Sequence, residues 1–160
     1  MQRIGIYGGT FNPPHIGHIR AAEYALQTME LSSLLVIPSC ISPHKQLPAG
    51  SPTPQQRLKM LQLAFAEHSG IHVSDLELCR GGSSYTYETV EAVRNAYPDA
   101  EVFLLMGSDM FLSILNWKCP ERILAQAILA VFCRGDKGEK ETFRYLKEEV
   151  LAGRPWPWEE

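Results

Sequence analysis

Three observations predict an α/β doubly wound domain: a Rossmann-like, mostly parallel sheet with helices on both faces. Short continuous apolar runs alternate with helical patterns along the 160 residues. The runs stop abruptly at Gly or Pro. The helical stretches carry their own start signals. Uninterrupted apolar strands between helices belong to parallel sheets covered on both faces, and a repeating β-α order implies double winding.

The first strand is expected at Ile4-Gly5-Ile6-Tyr7, closing on Gly8-Gly9, and the second at Leu34-Leu35-Val36-Ile37, stopped by Pro38. Ile71 to Leu78 alternates more and predicts a less buried strand. Val102 to Met106 is a continuous run stopped by Gly107, and Ile128 to Cys133 is the last. Thr53, Pro54 and Gln56 form a capping box with proline at the first helical position. Leu58, Leu61, Ala64 and Phe65 follow on one face at helical spacing. Val90, Val93 and Tyr97 repeat that pattern after Thr86, a candidate N-cap, and Pro98 ends the helix. Phe143, Leu146 and Val150 predict a final amphipathic helix. Ligands in such sheets bind beyond the carboxyl ends of the strands. Gly8 to His18, Pro38 to Lys45 and Gly107 to Phe111 are therefore expected along one edge.

The length fits one domain, residues 1–160, with one well-buried core. Hydrophobic residues make up 45% and charged residues 21%, and the net charge is −3. That balance argues against nucleic-acid binding, which leans on a basic surface. No apolar run is long enough to span a bilayer, so no membrane role is expected. The four cysteines, at 40, 79, 119 and 133, form no C-x-x-C pair. They read as reduced thiols, partly in the core, of a cytoplasmic protein.

Chemistry concentrates in Gly8-Gly9-Thr10-Phe11-Asn12-Pro13-Pro14-His15-Ile16-Gly17-His18, a strand-to-helix segment. It is neither a P-loop nor a G-x-G-x-x-G fingerprint. Its glycines allow backbone N–H groups close to phosphate oxygens, and the helix N-terminus favours anions. His15 and His18, at i and i+3, share a helical face, and Gly17 clears space between them for a nucleotide. Two imidazoles there can donate to phosphate and stabilise developing charge; the bland alternative is that they only cap a helix. Lys45, in Ser42-Pro43-His44-Lys45, is a candidate phosphate-facing cation. Gly107 permits close approach, and Asp109 can accept from ribose hydroxyls or cap the next helix. Trp117 can stack on a flat ring or pack at a rim.

The segment from Gly8 to His18 resembles the signature of the HxGH nucleotidyltransferases, and is most similar to bacterial nicotinate-nucleotide adenylyltransferases. The resemblance runs over about residues 3 to 135. It implies adenylyl transfer from ATP to nicotinate mononucleotide, giving deamido-NAD and pyrophosphate. It implies that His15, His18 and Lys45 are catalytic, and that Gly8, Gly9, Thr10, Phe11, Gly107, Asp109 and Arg134 join the histidines in binding ATP. It places Thr10, Lys45, Thr86 and Trp117 against the acceptor, with Thr86 and Trp117 reading the pyridine ring and its carboxylate. Mg²⁺ is expected, held mainly by the ATP phosphates and waters, with no dedicated carboxylate cage. Two departures stand out. Lys118 occupies a position where the family carries Tyr, and the family's late Ile-Ser-Ser-Thr-x-Ile-Arg-like segment has no match between Phe143 and Glu160. A shortened chain that binds ATP poorly is the corresponding expectation. Another HxGH enzyme, such as a phosphopantetheine adenylyltransferase, and an inactive nucleotide-binding module are the alternatives; a homo-oligomer is left open.

Overall fold

The structure is a computed structural model that describes residues 1–133 and 135–152. Its elements follow in the order β1 (Arg3–Gly9), α1 (Ile16–Thr28), β2 (Ser33–Pro38), α2 (Pro54–Ala64), β3 (Ile71–Val73), α3 (Leu76–Arg80), α4 (Thr86–Ala96), β4 (Glu101–Gly107), α5 (Ser108–Phe111), α6 (Pro120–Leu124), β5 (Ile128–Phe132) and α7 (Gly135–Tyr145). A short 3-10 turn covers Ile114–Asn116, and a π-helical turn, Leu146–Val150, continues α7.

The five strands form one sheet in the order β3-β2-β1-β4-β5, and every pairing is parallel. The order reverses between β1 and β4, the switch point where a crevice opens in doubly wound sheets. Alternation along the strands divides the core in two. Ile4 and Ile6 of β1, with Val102, Leu104 and Met106 of β4, pack on one face with Val90 and Val93 of α4 and Ile123 of α6. Leu34, Val36 and Leu105 pack on the other with Ala22 and Ala25 of α1, Leu61 of α2 and Phe65. Side chains that alternate across a covered sheet bury both sets, so each strand ties the two layers together.

The capping box at α2 is formed: Gln56 N–H donates to Thr53 Oγ1 at 3.2 Å, and Thr53 N–H to Gln56 Oε1 at 2.9 Å. Among the described residues no helix is long and apolar enough to cross a membrane.

Five expectations are corrected. The strand predicted to Leu78 stops at Val73. From Asp75 the chain winds into α3, where Cys79 N–H donates to Asp75 O at 2.8 Å and the Glu77 side chain is buried. Thr86 is not the N-cap of α4: Tyr85 holds that position and makes no side-chain capping bond. Phe143 is 54% exposed, and the last turns pack through Tyr145, Leu146 and Val150 instead. The π-turn after Tyr145 rotates the apolar face away from the spacing of a regular helix. No cysteine is in the core: Cys40 and Cys119 are half-buried, Cys79 and Cys133 exposed, and all four are unpaired. The last strand is also less covered than its composition predicts, with Ile128 half exposed at the sheet edge.

Candidate active site

A cavity of about 270 Å³ opens over the carboxyl ends of β1, β2 and β4. All three predicted segments reach it: Gly8 to Phe11 with His18, Ser42 to Lys45, and Gly107. Thr86 and Trp117 complete the opposite wall and also line an adjoining open hollow with Lys118.

The histidine wall is built locally. His15 is the N-cap of α1 in extended backbone, not a member of the helix, and His18 lies in the first turn. The two do not simply share a helical face; they cap each other. Gly17 N–H donates to His15 Nδ1 at 3.0 Å, and His15 N–H donates to His18 Nδ1 at 3.1 Å. This is a capping box built from two imidazoles in place of Ser/Thr and Glu/Gln. Because both Nδ1 atoms accept, each neutral ring carries its proton on Nε2. The rings stack with centroids 3.8 Å apart, and Phe11 meets His18 edge-on at 4.9 Å. Burial, then the neighbouring His15, then Lys45 lower the His18 pKa to about 4. All three disfavour a charged imidazole, so at neutral pH His18 is a fixed neutral N–H donor. A Cβ on Gly17 would sit 2.8 Å from His15 Cε1. The residue between the histidines is therefore glycine because the His15 ring occupies that space, a reason additional to room for a nucleotide.

The other wall is assembled from distant segments. The loop after β2 is stitched to the loop before α4 by a parallel bridge between Ile41 and Ser83. Ser84 N–H donates to Ile41 O at 2.8 Å, and Cys40 N–H donates to Ser84 Oγ at 2.8 Å. Beneath lies a buried polar cluster: Thr89 Oγ1 donates to Glu77 Oε2 at 2.7 Å, and Arg80 Nη2 donates to Thr89 Oγ1 at 3.0 Å. Burial pushes the Glu77 carboxyl up to about 7 against the opposing pull of Thr89, Arg80 and Ser84. Trp117 donates from Nε1 to Ser113 Oγ at 3.1 Å and packs against the His44 ring at 4.8 Å; burial lowers the His44 pKa. Lys118 turns away from the main cavity, with its Nζ 4.3 Å from the Tyr85 ring centre.

Of the predicted residues, Gly8, Gly9, Thr10, Phe11, His18, Lys45, Thr86, Gly107 and Trp117 converge on the cavity, and His15 adjoins through its stack on His18. Asp109 does not line it; it is exposed in the first turn of the four-residue α5. Arg134 lies outside the described residues, as does the tail from residue 153. Ser39 and Glu77 line the cavity without having been singled out, and His44, Ser84 and Thr89 join them from the segments that carry Lys45 and Thr86. Arg57, behind it, is 1% exposed and donates from Nη1 to Thr10 O at 2.6 Å and from Nη2 to Ser39 O at 2.8 Å. The sequence places it four residues before Leu61 in a capped helix, but a charged residue there does not by itself announce burial. Among the described residues no group of three or more His, Cys, Asp or Glu converges to hold a metal.

The cytidylyltransferase-like family profile matches residues 6–150. A curated protein of Desulfatibacillum aliphaticivorans, bearing the name of a nicotinate-nucleotide adenylyltransferase, is 37% identical over 96% of this chain and 70% of its own length. A Geobacter sp. (strain M21) protein with the same name is 45% identical over 73% of this chain and 54% of its own. The chain thus spans between 54% and 70% of the length of these relatives. Among solved structures, the Plasmodium falciparum nicotinic acid mononucleotide adenylyltransferase complexed with NaAD superposes with a TM-score of 0.72 over 88% of this chain and 71% of its own, at 19% identity, a likeness of fold. The profile match across the cavity-forming elements, together with the extent of the 37% match, establishes that this chain belongs to the cytidylyltransferase-like nucleotidyltransferases, in the nicotinate-nucleotide adenylyltransferase family.

Proposed function

We propose that this chain transfers the adenylyl group of ATP to nicotinate mononucleotide, forming deamido-NAD and pyrophosphate. The observation that carries the reading is the pair of Nδ1-anchored imidazoles beside Lys45, facing a wall of Thr86 and Trp117 across one cavity. A phosphate oxygen of the acceptor attacks the α-phosphorus of ATP, and the bond from that phosphorus to the bridging oxygen of the β-phosphate breaks. No protein nucleophile is needed, because the acceptor brings its own. Catalysis is then alignment of the two phosphates and stabilisation of the charge that builds on them. His18, neutral and held by its Nδ1, offers Nε2–H to a phosphate oxygen without reorganising. His15 does the same from the stacked ring, and Lys45 supplies positive charge at the mouth. Gly8 to Phe11 and Gly107 let backbone approach the nucleotide closely. Thr86 and Trp117 take the acceptor ring. Asp109, outside the cavity lining, is a proposed ATP contact, and Arg134 is proposed as another from the resemblance alone.

Mg²⁺, proposed to travel with ATP, would sit on phosphate oxygens and waters and neutralise their charge, since the described residues offer it no carboxylate cage. A cytoplasmic setting is proposed from the four unpaired thiols. The test is pyrophosphate release from ATP with nicotinate mononucleotide, nicotinamide mononucleotide or phosphopantetheine as acceptor. The nicotinate substrate is expected to give the highest kcat/KM; a preference for phosphopantetheine would overturn the acceptor assignment.

A further inference from the structure

One buried carboxyl stands on the acceptor wall without a cation of its own. Glu77 is 6% exposed and lines the cavity together with Thr86 and Trp117. It belongs to the five-residue α3, and the proposed reaction makes no use of it. Carboxyl groups are almost never buried unless paired. Thr89 Oγ1 donates to its Oε2 at 2.7 Å. Ser84 bears on the same carboxyl while its Oγ accepts from Cys40 N–H. Those partners are hydroxyls, not charges. Arg80, the guanidinium that acts on Glu77, is committed elsewhere: its Nε pairs with Glu88 Oε2 at 3.0 Å, and its Nη2 donates to Thr89. Among the described residues no cation forms an ion pair with Glu77.

A carboxyl in that position reads charge. The cavity is poorly screened by solvent, so a charge on its wall acts on a ligand without touching it. The acceptor ring carries a carboxylate in nicotinate mononucleotide and a neutral carboxamide in nicotinamide mononucleotide. An ionised Glu77 repels the first and not the second; a protonated Glu77 repels neither. Burial brings the change between those forms to about 7. The imidazoles and the phenol that face the cavity hold one form around that pH. His18 titrates at about 4, burial lowers the His44 imidazole, and burial raises the Tyr7 phenol. Lys45 lines the cavity as a cation, and Lys118 holds its ammonium over the Tyr85 ring beside it. The Cys40 thiol acts on Arg57. On α3 itself, Cys79 is exposed and bonded to Asp75.

We propose that Glu77 is a specificity-determining residue, a carboxyl that discriminates acceptors by the charge of the group their ring carries. The inference rests on the adenylyl-transfer reading and names what tunes its choice of acceptor. Thr86 and Trp117 hold the ring; Glu77 adds a charge filter behind them.

The experiment is the ratio of kcat/KM for nicotinate mononucleotide to that for nicotinamide mononucleotide, measured with ATP from about pH 6 to about pH 8.5. Both acceptors carry the same phosphate, so its titration cancels in the ratio. In wild type the ratio will fall about tenfold as pH rises and Glu77 ionises. Glu77→Gln keeps an acceptor for Thr89 but carries no charge. Its ratio will stay level with pH and will exceed that of wild type at the alkaline end. A merely structural Glu77 changes turnover of both acceptors together and leaves the ratio alone. A fall that persists in Glu77→Gln belongs to another group and overturns the proposal.

Should Glu77→Gln fail to fold, wild type carries a second measurement. Calorimetric binding of each mononucleotide at about pH 8, in buffers of different ionisation enthalpy, counts the protons exchanged. A carboxylate brought up to Glu77 raises its affinity for a proton. Nicotinate mononucleotide will therefore take up more of a proton than nicotinamide mononucleotide does, and equal uptake overturns the proposal. Wild type that shows the unequal uptake yet releases no pyrophosphate keeps Glu77 and sinks the adenylyl-transfer reading. Wild type that turns over nicotinate mononucleotide at a ratio level with pH sinks Glu77 alone. Wild type that binds neither pyridine mononucleotide and uses phosphopantetheine sinks both.

Discussion

The two walls of the cavity are built by opposite means. The histidine wall closes on itself within four residues: each bond that orients His15 and His18 spans two or three positions. The acceptor wall depends on contacts between segments far apart in sequence. Cys40 meets Ser84 across 44 positions, and His44 meets Trp117 from a different element. A locally closed motif is in place as soon as its helix forms, and a distant mutation will not easily move it. A wall stitched from separate loops inherits every displacement of the sheet and helices beneath it. Chemistry that must not shift suits the first kind, and recognition that can be retuned suits the second.

The largest break is expected at His18. His18→Ala removes a preorganised donor from the proposed transition state and should lower kcat about a hundredfold or more. ATP affinity, measured by calorimetry, should fall less. Full turnover in the folded variant would leave the histidine pair as a helix cap and nothing else. On the opposite wall, Trp117→Ala should raise KM for nicotinate mononucleotide about tenfold through lost ring stacking, sparing KM for ATP. Equal increases for both substrates would show that the walls are not separable.

Gly17→Ala sharpens the comparison with a smaller change. The new Cβ must displace the His15 ring, which lies 2.8 Å away, while alanine favours the helix. Tm should hold or rise as kcat falls severalfold; loss of Tm with kcat intact would contradict the packing. The smallest effect concerns Glu77 beneath the acceptor wall. Its folded pKa, raised from 4.5 to about 7, means that the neutral carboxyl is the form favoured by folding. The stability it contributes is present in full below about 4.5 and is lost as pH rises through about 7. Glu77→Gln is neutral throughout. Its Tm relative to wild type should therefore climb between about pH 5 and pH 8; a parallel pair of profiles would mean that Glu77 is ionised across the range.

Much of this molecule could be read without coordinates because the signals were local. The apolar runs at Ile4, Leu34 and Val102 located three strands, and Thr53-Pro54 with Gln56 located a helix start, since period and capping act within a few residues. His15, Gly17 and His18 were legible for the same reason, although their mutual capping was not, because hydrogen-bond direction is invisible in a spacing. Tertiary structure alone decided the rest. Ile71 to Leu78 alternates like a strand, yet Glu77 is taken into a buried bond with Thr89, and the chain turns into helix. Asp109 has the right neighbours but is exposed and outside the cavity's lining, which no local pattern determines. Arg57 reads as an exposed charge by composition and is fully buried, because three carbonyls from two other loops converge on it. Local hydrogen bonding and hydrophobic period are properties of a short stretch of chain; which distant polar groups meet in the interior depends on how the layers close.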